Sequence, residues 1–171
     1  MRYALVDTAI GTFGIAWTDQ GVARVALPGN DRARTEMWIS RDPAEPGFPD
    51  GALARLPDRI KRYAQGEHED FTDVPLDLDG LPLFNRQAYD ELLKIGYGET
   101  TTYGAIARTL GDVTLSRAVG QAMGANPIPL IIPCHRVLAS DGKTGGFSSP
   151  GGVTAKMRML ALEHAASPTG Q

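Results

Sequence analysis

The chain holds one cysteine in 171 residues and only three histidines, His68, His135 and His164. One thiol cannot close an internal disulfide, and with three scattered histidines it cannot assemble a closed zinc site from the usual Cys and His ligands. Neither glycine-rich phosphate loop, GxGxxG or GxxxxGK, is present, so nucleotide-loop chemistry is excluded. No apolar run approaches the roughly 20 residues that span a bilayer, and the start MRYALVDTAIG lacks the basic and apolar regions of a signal peptide. These absences predict a cytoplasmic protein with no membrane partner, no metal and no cofactor. Internal repeats and low-complexity tracts are also missing.

What is present suffices for a globular core. Apolar residues make up 42% of the chain, enough for one ordinary domain or two small ones. Net charge is −3, which attracts no polyanion as a whole, yet residues 1–79 carry 9 basic against 14 acidic side chains while residues 80–171 carry 8 against 6. A polyanion would meet the second half, although random surface charge gives an asymmetry of this size too.

RYALVDTAIGTFGIAWTDQGVARVAL alternates apolar and polar residues with glycines at the turns, which predicts an antiparallel meander. Residues 28–50 read as a loop. Leu53, Leu56, Ile60 and Ala64 share a helical face. FTDVPLDLDGLP alternates like a strand until Gly80 and Pro82, where we place a domain boundary. Beyond it the period changes: Phe84, Ala88, Leu92 and Ile95 fall at helical spacing, TTYGAIARTLG reads as a second helix, and Thr114 can cap a third with Leu115, Ala118, Val119, Ala122 and Met123 inward. Two short helices across a tight turn fit a helix-turn-helix or ordinary packing equally well. NPIPLIIP reads as a short buried strand, and a glycine-rich loop over 142–152 leads into a last helix from about Val153 to Ala165.

The lone thiol, Cys134, lies in IIPCHRV between Pro133 and His135. A thiol needs help to become the nucleophilic thiolate. Neighbouring side chains on an extended strand point apart, so His135 assists only if the chain bends, and Pro133 favours a bend. A third group should orient the imidazole. On the last helix, with Val153, Met157 and Leu160 inward, Glu163 falls at the edge of the stripe. Cys134 also fits a small core residue, and Glu163 a solvated helix end.

PCHRV, preceded by RAVGQAMGANPIPLII and followed by GKTGGF and a helix ending LALE, resembles the O6-alkylguanine-DNA alkyltransferase family. The likeness runs from Phe84 to Glu163 and more loosely over the first 79 residues. It implies an α/β (α+β) fold: an RNase H-like β-ribbon/α domain over 1–79, a mostly helical domain with a winged helix-turn-helix over 80–165, and a tail over 166–171. It also implies direct-reversal DNA repair by a monomer acting once per molecule, on double-stranded DNA entered from the minor groove with the damaged base flipped out. In that reading Cys134 is held as an anion and captures the alkyl carbon from guanine O6, with O4-alkylthymine left open as a substrate. His135 takes the thiol proton through a water, Glu163 holds the imidazole, and Tyr103 serves guanine N3. Arg117 fills the gap in the base stack. Thr114, Ser116, Ala118, Gly120 and Gln121 face DNA, and Met123, Asn126, Val137, Phe147 and Ser148 line the base pocket. Asn126 is also a hinge between helix and active site, and Arg136 a structural tie. Read without the family, Arg117 is equally a solvated arginine or a phosphate contact, Tyr103 an exposed aromatic and Asn126 a helix cap.

Four residues depart from the family pattern. Asn85, Tyr89 and Gly96 stand where glutamine, tryptophan and proline are usual, which predicts altered packing rather than lost chemistry. Phe147 stands for a tyrosine in a loop about two residues longer than usual, which bears on the alkyl groups accepted. Two other functions compete: a non-catalytic relative that flags damaged DNA, against which Cys134 argues, and a Cys/His hydrolase, for which no local signature exists.

Overall fold

The computed structural model describes residues 1–29, 31–41, 43–139 and 152–166. Its first three strands, β1 (Arg2–Thr8), β2 (Gly11–Thr18) and β3 (Gly21–Ala26), form the expected antiparallel meander. Period-two alternation sends Val6, Phe13, Ile15 and Trp17 to one face and Tyr3 and Ala16 to the other. A bulge opposite Ala16 and Trp17 inserts an extra residue in β3, so Val22 and Val25 reach the same face despite their odd spacing. Gly21 is needed between β2 and β3: its φ is +148°, and a Cβ would overlap the Pro75 carbonyl.

Residues 28–50 contain a helix, contrary to the loop expected there. α1 (Arg32–Ile39) is N-capped by Asp31, whose carboxylate accepts from the Arg34 N–H at 2.7 Å, and it covers β2 and β3 through Thr35 and Ile39. Its sequence has little amphipathic signal because only those two positions are buried, so the cap is the one legible sign. A two-residue strand, β4 (Glu45–Pro46), pairs in parallel with β1 and gives the sheet order β3-β2-β1-β4. α2 (Leu56–Ala64) packs on β1 with Leu56, Ile60, Tyr63 and Ala64 buried. The segment expected as a strand before Gly80 makes one bridge, Leu76 against Val22, with Val22 N–H donating to Pro75 O at 2.9 Å.

The second half is helical. α3 (Leu83–Leu92) packs on α4 (Tyr103–Thr109) and α5 (Ser116–Gly124). The α5 start differs from expectation: a 3-10 turn, Val113–Leu115, precedes it, and Asp112 rather than Thr114 is the cap, accepting from the Thr114 N–H at 2.9 Å. Chain 127–133 is not a strand. It winds through tight turns, Ile132 N–H donating to Ile128 O at 2.9 Å and Leu130 sitting at φ +77°. Asn126 organises those turns from inside, donating to Ile132 O and accepting from the Ile128 N–H, both at 2.9 Å. Its amide takes the backbone partners a ladder would have supplied. Two short strands, β5 (Thr101–Thr102) and β6 (Val137–Leu138), pair in parallel, and α6 (Gly152–Ala166) closes the described chain. One apolar cluster runs through both halves from Val6 to Met159, and no described helix is long and apolar enough to cross a membrane.

Candidate active site

Cys134 opens a 3-10 turn, Cys134–Arg136, that follows Pro133. The turn supplies the bend an extended strand would have denied, and its three side chains are all buried, Cys134 at 2% exposure and His135 at 0%. The β5/β6 pairing sets Thr102 beside Leu138, so Tyr103, the first residue of α4, lies close to the turn. The charge that a Cys134 thiolate would carry acts on the phenols of both Tyr103 and Tyr89.

Glu163 is 1% exposed and accepts from five donors. His135 Nε2 lies 2.5 Å from its Oε2, the Tyr63 hydroxyl donates to Oε2 at 2.6 Å, and the Gly98 N–H donates to Oε1 at 3.1 Å. Arg136 holds both oxygens, Nε on Oε1 at 2.9 Å and Nη2 on Oε2 at 3.2 Å, while its Nη1 donates to Ile95 O. Burial alone would raise this carboxyl, but the hydrogen bonds and charges of His135 and Arg136 outweigh it and hold the group well below the usual carboxylate range.

Burial pushes His135 down, against the pull of Glu163. The ring is therefore neutral near pH 7. With Glu163 ionised its proton belongs on Nε2, which leaves Nδ1 a lone-pair acceptor. Nδ1 is buried and has no hydrogen-bond partner among the described residues. A neutral imidazole nitrogen so placed is able to accept a proton.

The sulfur itself differs from expectation. Burial raises the Cys134 thiol to about 11, against the opposing pull of the Asn126 side chain and the Lys156 charge, so at rest it is a neutral thiol and not an anion. Deprotonation has to be coupled to reaction.

Between α4 and α5 lies a hollow of about 690 Å³ lined by Tyr103, Arg108, Ser116, Arg117, Gly120 and Gln121, among others. Arg117 is exposed and Gly120 meets open space where a Cβ would be. Thr114 is exposed in the 3-10 turn before α5, and Ala118, within the helix, is partly buried. Tyr103 is the residue common to this hollow and the surroundings of the thiol. Met123 packs in the apolar core, and Val137 is buried with its carbonyl accepting from Lys156 Nζ at 2.8 Å. Phe147 and Ser148 lie outside the described residues.

Tyr63, Gly98 and Lys156 were missed by sequence reasoning. Tyr63 signalled only that it sits on the inward face of α2, and Gly98 contributes a backbone group. Lys156 hid an inward position behind a charge. The buried stripe of α6 is Ala155, Lys156, Met159 and Glu163, whereas Met157, expected inward, is 58% exposed. Of the departures, Tyr89 is buried and donates to Ala122 O in α5 at 2.7 Å, with Asn85 bonded to it. The Gly96 N–H donates to Glu99 Oε1 at 2.6 Å. Among the described residues no group of three or more His, Cys, Asp or Glu side chains is placed to hold a metal ion.

Residues 83–165 match the model of the 6-O-methylguanine DNA methyltransferase DNA binding domain. The methylated-DNA–protein-cysteine methyltransferase of Mycobacterium tuberculosis is 38% identical over 155 residues, 88% of this chain and 92% of that protein. A crystal structure of Mycobacterium tuberculosis OGT in complex with DNA superposes with a TM-score of 0.78 at 35% identity, covering 99% of this chain and 97% of that one. A DNA base-flipping protein of Thermus thermophilus is 41% identical over 68% of this chain and 77% of its own length. Likeness of this extent in both sequence and fold leaves one assignment: the chain belongs to the methylated-DNA–protein-cysteine methyltransferase family.

Proposed function

We propose that this protein repairs O6-alkylguanine in double-stranded DNA by moving the alkyl group to Cys134, once per molecule. The observation that carries the reading is the buried His135–Glu163 pair, Nε2 to Oε2 at 2.5 Å, which locks a neutral base one residue from a buried, neutral thiol. As the sulfur attacks, a sulfur–carbon bond forms and the carbon–O6 bond breaks. The thiol proton passes to His135 Nδ1, directly or through one water, and the departing guanine takes up one proton overall. Burial first, and then the charge Cys134 would carry as a thiolate, raises the Tyr103 phenol, so it stays a donor near neutrality, suited to guanine N3.

The same reading assigns the DNA-facing role to α5. Thr114, Ser116, Arg117, Ala118, Gly120 and Gln121 face the minor groove, where short side chains allow close approach, and Arg117 fills the stack left by the flipped base. Met123, Asn126, Val137, Phe147 and Ser148 are assigned to the pocket. Met123 and Val137 would serve as its wall from within the core, and Asn126 doubles as the hinge whose two backbone bonds shape the turn before Cys134. We divide the chain into an RNase H-like unit over 1–79, a winged helix-turn-helix unit over 80–165 and a tail over 166–171, and we place the protein in the cytoplasm as a monomer. The thioether product has no second thiol to attack it, so no turnover follows.

Intact mass measured after mixing with a duplex carrying O6-methylguanine tests this. A gain of one CH₂, saturating at one per molecule and absent in Cys134→Ser, is expected of nucleophilic capture. Binding to the duplex with no mass gain would instead identify a damage sensor, and repeated turnover of an ester a hydrolase.

A further inference from the structure

Glu163 Oε2 is the oxygen that faces His135, and its nearest donor besides the imidazole comes from the other half of the molecule, 100 residues away in sequence. We propose that Tyr63, on α2, is a positioning residue of the alkyl-transfer relay: its hydroxyl fixes Oε2 against His135 Nε2, so the N-terminal half supplies part of what makes Cys134 react efficiently. This rests on the alkyl-transfer reading above.

The two carboxylate oxygens are not equally held. Oε1 has Arg136 Nε at 2.9 Å and the Gly98 N–H at 3.1 Å, whereas Oε2 has Arg136 Nη2 at 3.2 Å and the Tyr63 hydroxyl at 2.6 Å. Without the phenol, the oxygen that steers the imidazole keeps only the longest of these bonds. The ring is itself fixed: Tyr63 is 0% exposed and meets Phe71 and Tyr97 edge-on, with centroids 6.0 and 6.2 Å away. Burial and the Glu163 charge raise the Tyr63 phenol well above its ordinary value, so it remains a donor throughout the neutral range. His135 and Arg136 face Glu163 from the cysteine turn and Tyr97 from the segment before β5, while Lys156 acts on His135 from α6.

Removing the hydroxyl leaves Oε2 sharing less of its charge, which makes it a stronger partner for a protonated imidazole. His135 then takes up its proton at higher pH and is lost as a base sooner on acidification. The test is single-turnover alkyl transfer from an O6-methylguanine duplex between pH 5.5 and 8.5, using the full chain as wild type, Tyr63→Phe and Phe71→Leu, with melting curves for each. We expect Tyr63→Phe to slow transfer about tenfold, the weight of one hydrogen bond to a charged group, and to move the acid limb upward by about half a unit. Phe71→Leu loosens the same α2 packing but keeps the hydroxyl, so it should lower Tm and leave the limb in place. Wild-type rate and limb in Tyr63→Phe, an equal limb shift in Phe71→Leu, or loss of fold from the missing hydroxyl alone would each overturn the proposal. A wild type that gains no mass removes the alkyl-transfer reading first, and is told apart from these because it is read before any variant is compared.

Discussion

Glu163 is a carboxylate in an apolar interior, and its neighbours explain how that is tolerated. Each oxygen is filled by hydrogen bonds, and the Arg136 guanidinium balances the charge with two of its nitrogens. A buried pair of this kind adds little net stability over apolar packing, but removing one member is costly. Glu163→Gln keeps the shape and leaves the Arg136 cation largely buried beside a neutral amide. We expect it to lower stability by about 3 kcal/mol, read by urea unfolding, and to slow alkyl transfer because the imidazole loses its anchor. If Glu163→Gln melts like the wild type, Arg136 has found another counter-charge and the account of the site fails.

At the scale of elements, α5 combines an apolar inner face with an outer face on which Gly120 sits without a side chain between the exposed Arg117 and Gln121. Val119, Ala122 and Met123 are buried, while a methyl at Gly120 would meet nothing within 4 Å. A glycine inside a helix is unfavourable by about 1 kcal/mol relative to alanine, so a free surface gives no reason to keep one. Gly120→Ala should therefore raise the stability of the free protein by about that amount while weakening duplex binding several-fold, as read by melting curves and fluorescence anisotropy. Stabilisation with unchanged binding would mean that DNA does not approach this face. The Tyr89 hydroxyl bond to Ala122 O anchors the inner side of the same helix to α3. That is the packing consequence of a phenol standing where an indole is usual.

For the molecule as a whole, the buried titratable groups set a pH window. The folded-state values of His135 and Glu163 lie below their ordinary ones, so the stability they contribute is complete above the unfolded values, about 6.5 and 4.3, and is lost as pH falls. Cys134 has the opposite sign. Raised to about 11, it contributes stability that is complete below the ordinary thiol value and is lost as pH climbs toward 11. Tm should therefore be highest between about pH 7 and 8.5, falling to either side. In Cys134→Ser the alkaline fall between pH 8.5 and 10 should be shallower, by up to about 2 kcal/mol at the far end. Parallel alkaline limbs in the two proteins would show that the thiol is not held neutral by burial.

The sequence by itself determined the meander, the end of α2 at Ala64 and the helical second half, because period and turn glycines are local facts, whereas its residues only singled out Cys134, His135 and Glu163 and left the thiol open as a core residue and the carboxylate as a solvated helix end. α1 escaped because two buried positions in eight residues make no stripe, and 127–133 was misread because an apolar run looks the same whether a ladder or the Asn126 amide satisfies its backbone. Which residues complete the site was decided only by tertiary structure. Tyr63 and Glu163 are 100 positions apart and meet because α2 packs against α6, and Lys156 turns inward because the Val137 carbonyl is there to receive it. The protonation of the sulfur was decided the same way. Thiol acidity depends on how much water and which charges surround it, and the fold withdraws the water.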